Sequence, residues 1–128
     1  MKGFCSRSAF QSMMEASAYA FTREGLPRGC MVSLGGTHRP PGLASVCDDM
    51  RDLRSFGEAS LFERPRQGIG DGDMSPAADV EGPASFLEAT LHGMAVKAHD
   101  RVSLERLLTI GRIAMKAWPI SGEDRARD

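Results

Sequence analysis

The chain has 128 residues, 41% hydrophobic and 26% charged, a size and composition that suit one globular domain and exclude global disorder. Its 16 Lys and Arg against 17 Asp and Glu leave a formal charge of −1, without the basic excess that gives a free-standing nucleic-acid binder most of its affinity. No run approaches the roughly 18 apolar residues of a membrane span, and no apolar stretch follows Lys2 as in a secretory signal, so the expectation is a cytoplasmic protein.

In chain order, the first helical signal covers 8–22, where Phe10, Met13, Met14, Ser17, Ala20 and Phe21 make a one-sided stripe of period near 3.6. Gly25 and Pro27 end it. The stretch 30–34 is apolar but only five residues long, and with no partner strand elsewhere it is read as a brief helix or turn. A second stripe over 43–62 carries Leu43, Val46, Cys47, Met50, Leu53, Gly57 and Leu61, with Asp48, Asp52, Ser55 and Glu58 opposite. The segment 63–78 holds Pro65, Gly68, Gly70, Gly72 and Pro76 and predicts a mobile loop. Helix returns over 79–98, capped by Asp79 and with Pro83 still in the first turn, where its missing N–H costs nothing. Ser103 caps a last helix to Trp118; Pro119 follows, and the tail from Ser121 is charged and frayed.

The last two helices carry more apolar surface than one core needs. Leu104, Leu107, Leu108, Gly111, Ala114, Met115 and Trp118 form a full stripe, and Ile110, Ile113 and Ala117 form a second beside it. On 79–98, Val80, Ala84, Leu87, Leu91, Met94, Ala95 and Ala98 make one stripe, broadened by Phe86, Ala89, Gly93 and Val96. An ordinary surface helix buries one face of about 100°. The surplus predicts a homodimer closed by a four-helix contact, with Leu91, Met94, Ala95, Leu107, Ile110, Gly111, Ala114 and Trp118 as its candidate residues; burial of both faces within a monomer is the alternative.

Little in the chain points to catalysis or metal. Cys5, Cys30 and Cys47 lack any C-x-x-C or zinc spacing, and none of His38, His92 and His99 has a second ligand at i+3 or i+4. His92 falls on the polar strip of its helix and is expected in solvent. The run Gly68-Ile69-Gly70-Asp71-Gly72-Asp73 is neither a dinucleotide fingerprint nor a calcium loop, because the glycine and acid positions do not fit. Eight methionines are many for this length, and Met13, Met14, Met31, Met50, Met94 and Met115 lie on apolar faces. They fill either a core or an adaptable binding pocket.

Pro27-Arg28-Gly29-Cys30-Met31-Val32 resembles the P-x-G-C-hydrophobic-hydrophobic signature that follows the first regulatory-domain helix of many TetR-type regulators. Phe86-Leu87 and Leu91-His92-Gly93-Met94-Ala95, in a helix led by Asp79, are similar to that family's penultimate helix, and the helix ending Ala117-Trp118-Pro119 is similar to its terminal one. The resemblance spans about residues 8–119 and implies an all-α bundle of about five helices, with a ligand cavity in each subunit and a dimer contact through the last two helices. It implies a single regulatory domain over 1–128, sensing a ligand and dimerising, with the N-terminal helix-turn-helix DNA reader absent: residues 1–7 are too few to hold one. The pocket expected on this basis comprises Met13, Met14, Ser17, Met31, Met50, Leu53, Phe56, Phe86 and Thr90, with His38 donating to a ligand at its mouth. The partners implied are a second copy of the chain and a hydrophobic small molecule, with DNA contacted only through the missing domain; no cofactor, metal or catalytic residue is expected. The alternatives are an interaction protein that forms heterodimers with full-length relatives and a small helical thiol enzyme using Cys30 and His38.

Overall fold

The computed structural model describes residues 6–70 and 79–118. The described residues form five α-helices and no strand: α1 (Ser6–Phe21), α2 (Met31–Leu34), α3 (Ala44–Gly70), α4 (Glu81–His99) and α5 (Leu104–Ala114), followed by a 3-10 turn, Met115–Ala117. The all-α expectation therefore holds. The expectations for residues 1–5, for 71–78 and for the tail from Pro119 lie outside the described residues.

Helices α1, α4 and α5 pack on one another around the main core. From α4 come Ala84, Leu87, Met94 and Ala98 and from α5 Leu107 and Ala114, all on the first stripe read from those helices. Helix α1 contributes Phe10 and Met14 of its stripe together with Ala18, which that stripe omitted, and turns Ala20 outward. Met14, Leu87, Met94 and Leu107 are fully enclosed, each worth about 1.5–3 kcal/mol over an exposed side chain. Met115 and Trp118 close the end of this core, and Trp118 stacks on Phe10 with ring centroids 4.4 Å apart. Gly111 lets α1 come close: a Cβ there would stand 3.4 Å from that of Met14.

The helix ends show which local signals acted. Ser103 caps α5, its hydroxyl accepting from Arg106 N at 3.2 Å. Asp79 works one residue further out than a standard cap: α4 starts at Glu81, and Asp79 Oδ1 accepts from Gly82 N. The α4–α5 turn is a Schellman motif, with Val102 N donating to Lys97 O and Arg101 N to Ala98 O. Its left-handed position, normally glycine, is filled by Arg101 at φ 66°.

One helix boundary differs from its expectation. The loop foreseen from residue 63 is instead a continuation of α3 as far as Gly70. Glu63, Arg64, Arg66 and Gln67 are good helix formers, and Pro65 removes one N–H donor without ending the helix. Arg66 also pairs with Glu81 across the start of α4, at 3.2 Å.

Candidate functional site

The short helix α2 buries none of its own residues, and side-chain ties hold it in place. Gly29 N donates to Phe21 O at 2.9 Å, which turns the chain back under α1. Gly29 has φ 95°, and a Cβ on it would lie 2.9 Å from Ala95 O; only glycine satisfies both the angle and the approach. Arg28 Nη2 then donates to Val102 O at 2.9 Å, joining this loop to the α4–α5 turn. From α3, Arg54 Nη1 donates to Val32 O and Gly35 O, at 3.0 and 2.7 Å. These are carbonyls at the end of α2, where the helix has no donors of its own.

From α4, His92 bridges Ser33 and Glu88. Its Nδ1 lies 2.6 Å from Ser33 Oγ, and its Nε2 bonds Glu88 Oε1. A carboxylate can only accept, so Nε2–H donates to Glu88; in the neutral imidazole the Ser33 hydroxyl then donates to Nδ1. His92 is therefore not solvated as its place on the polar strip suggested; its side chain is 30% exposed and that of Glu88 is 19%. The order serine, imidazole, carboxylate resembles a nucleophile line, but neither the α1–α5 cleft nor the groove beyond α1 has any of the three on its walls. Its evident work is to fasten α2 to α4.

Cys30 and His38 do not form a pair. His38 is exposed and Cys30 half-buried, and the thiol that reaches residue 38 is that of Cys47, donating to the main-chain carbonyl. The adjoining loop is held to α3 by Arg39 and Asp48 at 2.7 Å. Hydrogen bonding from Arg39 holds the Asp48 carboxyl below its ordinary range, and the same bond raises Arg39.

The residues expected to line a pocket are dispersed. Met14 is buried, Met13, Ser17 and Met50 are half-buried, and Met31, Leu53, Phe56 and Phe86 lie in the open. The Thr90 hydroxyl bonds Phe86 O. Met50 sits against Gly35 and Gly36 at the end of α2. Met14 also lines a cleft of about 110 Å³ between α1 and α5, beside Gln11, Glu15, Leu108 and Arg112. That space is below the 300–1,000 Å³ typical of small-molecule sites.

The residues expected at a dimer contact are mostly enclosed in the chain's own core. Met94, Ala95, Leu107, Gly111, Ala114 and Trp118 are buried, while Leu91 and Ile110 keep partial exposure. A side chain with no surface left has nothing to offer a second subunit. The flanking stripes remain open: Phe86, Ala89, Gly93 and Val96 on α4, Ile113 beside Ile110 on α5, and Ala117 in the 3-10 turn that follows. The sequence shows both stripes on each helix, but only packing decides which one turns inward. His92, Arg54 and Arg28 escape a reading of the sequence; the one available signal is the i, i+4 spacing of Glu88 and His92.

No family model matches the chain. The HTH-type transcriptional repressor ComR of Escherichia coli (strain K12) is 27% identical over 120 residues, which cover 91% of this chain and 57% of ComR. Two structures of the TetR family transcriptional regulator CifR, cysteine-substituted forms in complex with 26-bp double-strand operator DNA, superpose with a TM-score of 0.87. They are 34% and 33% identical and cover 91% of this chain and 61% of CifR. The chain thus spans less than two thirds of each relative, and these relatives are transcriptional regulators, not enzymes.

Proposed function

From the premise that this chain forms a TetR-like helical domain, we propose that it is the ligand-sensing and dimerisation part of a TetR-type transcriptional repressor. The observation that carries this reading is the likeness to CifR, a regulator seen on its operator, over 91% of the chain. DNA is read by a helix-turn-helix supplied from outside these 128 residues, which agrees with their formal charge of −1. The site of action is the cytoplasm, where the operator is.

In this reading the open stripes of α4 and α5 meet their copies about a twofold axis to form a four-helix contact. Ala89 and Gly93 support it, because small residues permit close approach and a Cβ on Gly93 would meet nothing within 4 Å. Phe86 shares their stripe and is assigned to this contact rather than to the pocket. A hydrophobic small molecule is taken up between α1 and α3 by Met13, Met50, Leu53 and Phe56, half-buried or exposed residues that its binding would draw together. Binding favours one of two subunit packings and so resets the spacing of the DNA readers.

Equilibrium sedimentation tests the assembly. The chain is expected to be a dimer at tens of micromolar, on the order of ordinary interface affinities, and the double variant Phe86→Asp, Ile113→Asp a folded monomer. A wild-type monomer at that concentration sinks the dimer, and a dimer unaffected by the double variant moves the contact to another face.

A further inference from the structure

At the end of the molecule formed by the close of α1 and the α4–α5 turn lies an open groove of about 1070 Å³. Three arginines line it from separate segments: Arg23 just past α1, Arg28 in the loop before α2, and Arg101 in the turn. His99 joins them, and among the described lining residues Glu24 is the single carboxylate. Tyr19, Leu26 and Leu104 add apolar surface; Tyr19 and Leu26 are at least half exposed.

Two features of this wall stand out. Arg28 uses Nη2 on Val102 O, but its Nε is buried without a hydrogen-bond partner, an arrangement native proteins seldom leave unmet. Arg101 occupies a left-handed backbone position that favours glycine, and it places one more cation on a wall already positive. Three like charges gathered beside a single carboxylate repel, and an oxyanion set among them turns that repulsion into charge-assisted hydrogen bonds. The apolar wall beside the cations selects for a ligand with a hydrocarbon or aromatic body.

We propose that this groove binds an anionic amphiphile, a carboxylate or phosphate monoester on an apolar body, with Arg23, Arg28 and Arg101 around the anion and Tyr19, Leu26 and Leu104 along the tail. The site is separate from the pocket proposed between α1 and α3 and does not depend on it.

Calorimetric titration of the 128-residue chain with octanoate, octyl phosphate, 1-octanol and inorganic phosphate tests this. Octanoate and octyl phosphate are expected to bind at least about tenfold tighter than octanol at low salt, since charge-assisted bonds to guanidinium are the stronger class. The better of the two identifies the head group. Inorganic phosphate is expected to bind at least about tenfold more weakly than octyl phosphate, because it buries no apolar surface. Arg23→Ala and Arg101→Gly should each weaken octanoate by roughly three- to tenfold; Arg101→Gly suits the left-handed backbone and should not lower the thermal midpoint. Octanol binding as tightly as octanoate, inorganic phosphate binding as tightly as octyl phosphate, no octanoate binding at about millimolar concentration, or unchanged octanoate binding by the combined Arg23→Ala, Arg101→Gly variant would each overturn the proposal.

Discussion

Arg101 and Gly29 are opposite answers to the same backbone demand. Both sit at positive φ, but only at Gly29 does the space around the missing Cβ forbid a side chain. Replacing Gly29 by Ala should cost about 2 kcal/mol or more, since strained φ and a contact with Ala95 O combine. Arg101→Gly should add about 1 kcal/mol by removing the left-handed penalty at the Schellman position. Chemical denaturation of the two variants beside the parent chain measures both, and a loss of stability in Arg101→Gly would mean that its side chain holds the turn. The Arg39–Asp48 pair makes a separate prediction about pH. The depressed Asp48 carboxyl contributes stability that is present above the unfolded carboxylate value near ~3.9 and is lost as pH falls through the lower folded value. An NMR titration should place the Asp48 midpoint below an ordinary aspartate, and Arg39→Ala should return it to normal; an unchanged midpoint in that variant would assign the shift to another cause.

Among the elements, α5 offers the sharpest contrast, because its two apolar stripes have different surroundings. Leu107 is enclosed and Ile113 is 60% exposed. Leu107→Ala should destabilise by about 2–5 kcal/mol, whereas Ile113→Ala should stay within about 0.5 kcal/mol in the monomer. Thermal melts at a concentration low enough to exclude association compare them, and equal losses would show that Ile113 also belongs to a core. The helices themselves are legible in the amino-acid order, because periodicity and caps are local: Ser103, the Phe10–Met14 stripe and the Leu87–Met94 stripe all behave as their spacing demands. What is not legible there depends on partners distant in the chain. Residues 63–70 look like a loop by their Pro and Gly, yet α3 runs through them. The candidate contact residues come chiefly from the stripe with the larger side chains, and size alone cannot say whether the neighbour is α1 or another subunit. Gly111 illustrates this: a small residue on an apolar face suits either, and its actual neighbour is Met14.

In the molecule as a whole, cohesion is unevenly shared. The main core joins α1, α4 and α5, with Leu61 and Phe62 of α3 packed against it, whereas α2 is attached through Arg54, His92 and Gly29, with none of its own residues buried. Polar ties of this kind are each worth only about 0.5–1.5 kcal/mol net, far less than an enclosed leucine. The amides of residues 31–34 should therefore exchange with solvent through local openings, at rates well above those of Leu87 to Ala98, and the gap should widen in Arg54→Ala. Uniform protection across α2 and α4 would show that they open together. Two levels of protection would make α2 the least expensive part of the bundle to displace, so that a modest binding energy applied there could move it while the three-helix core stays closed.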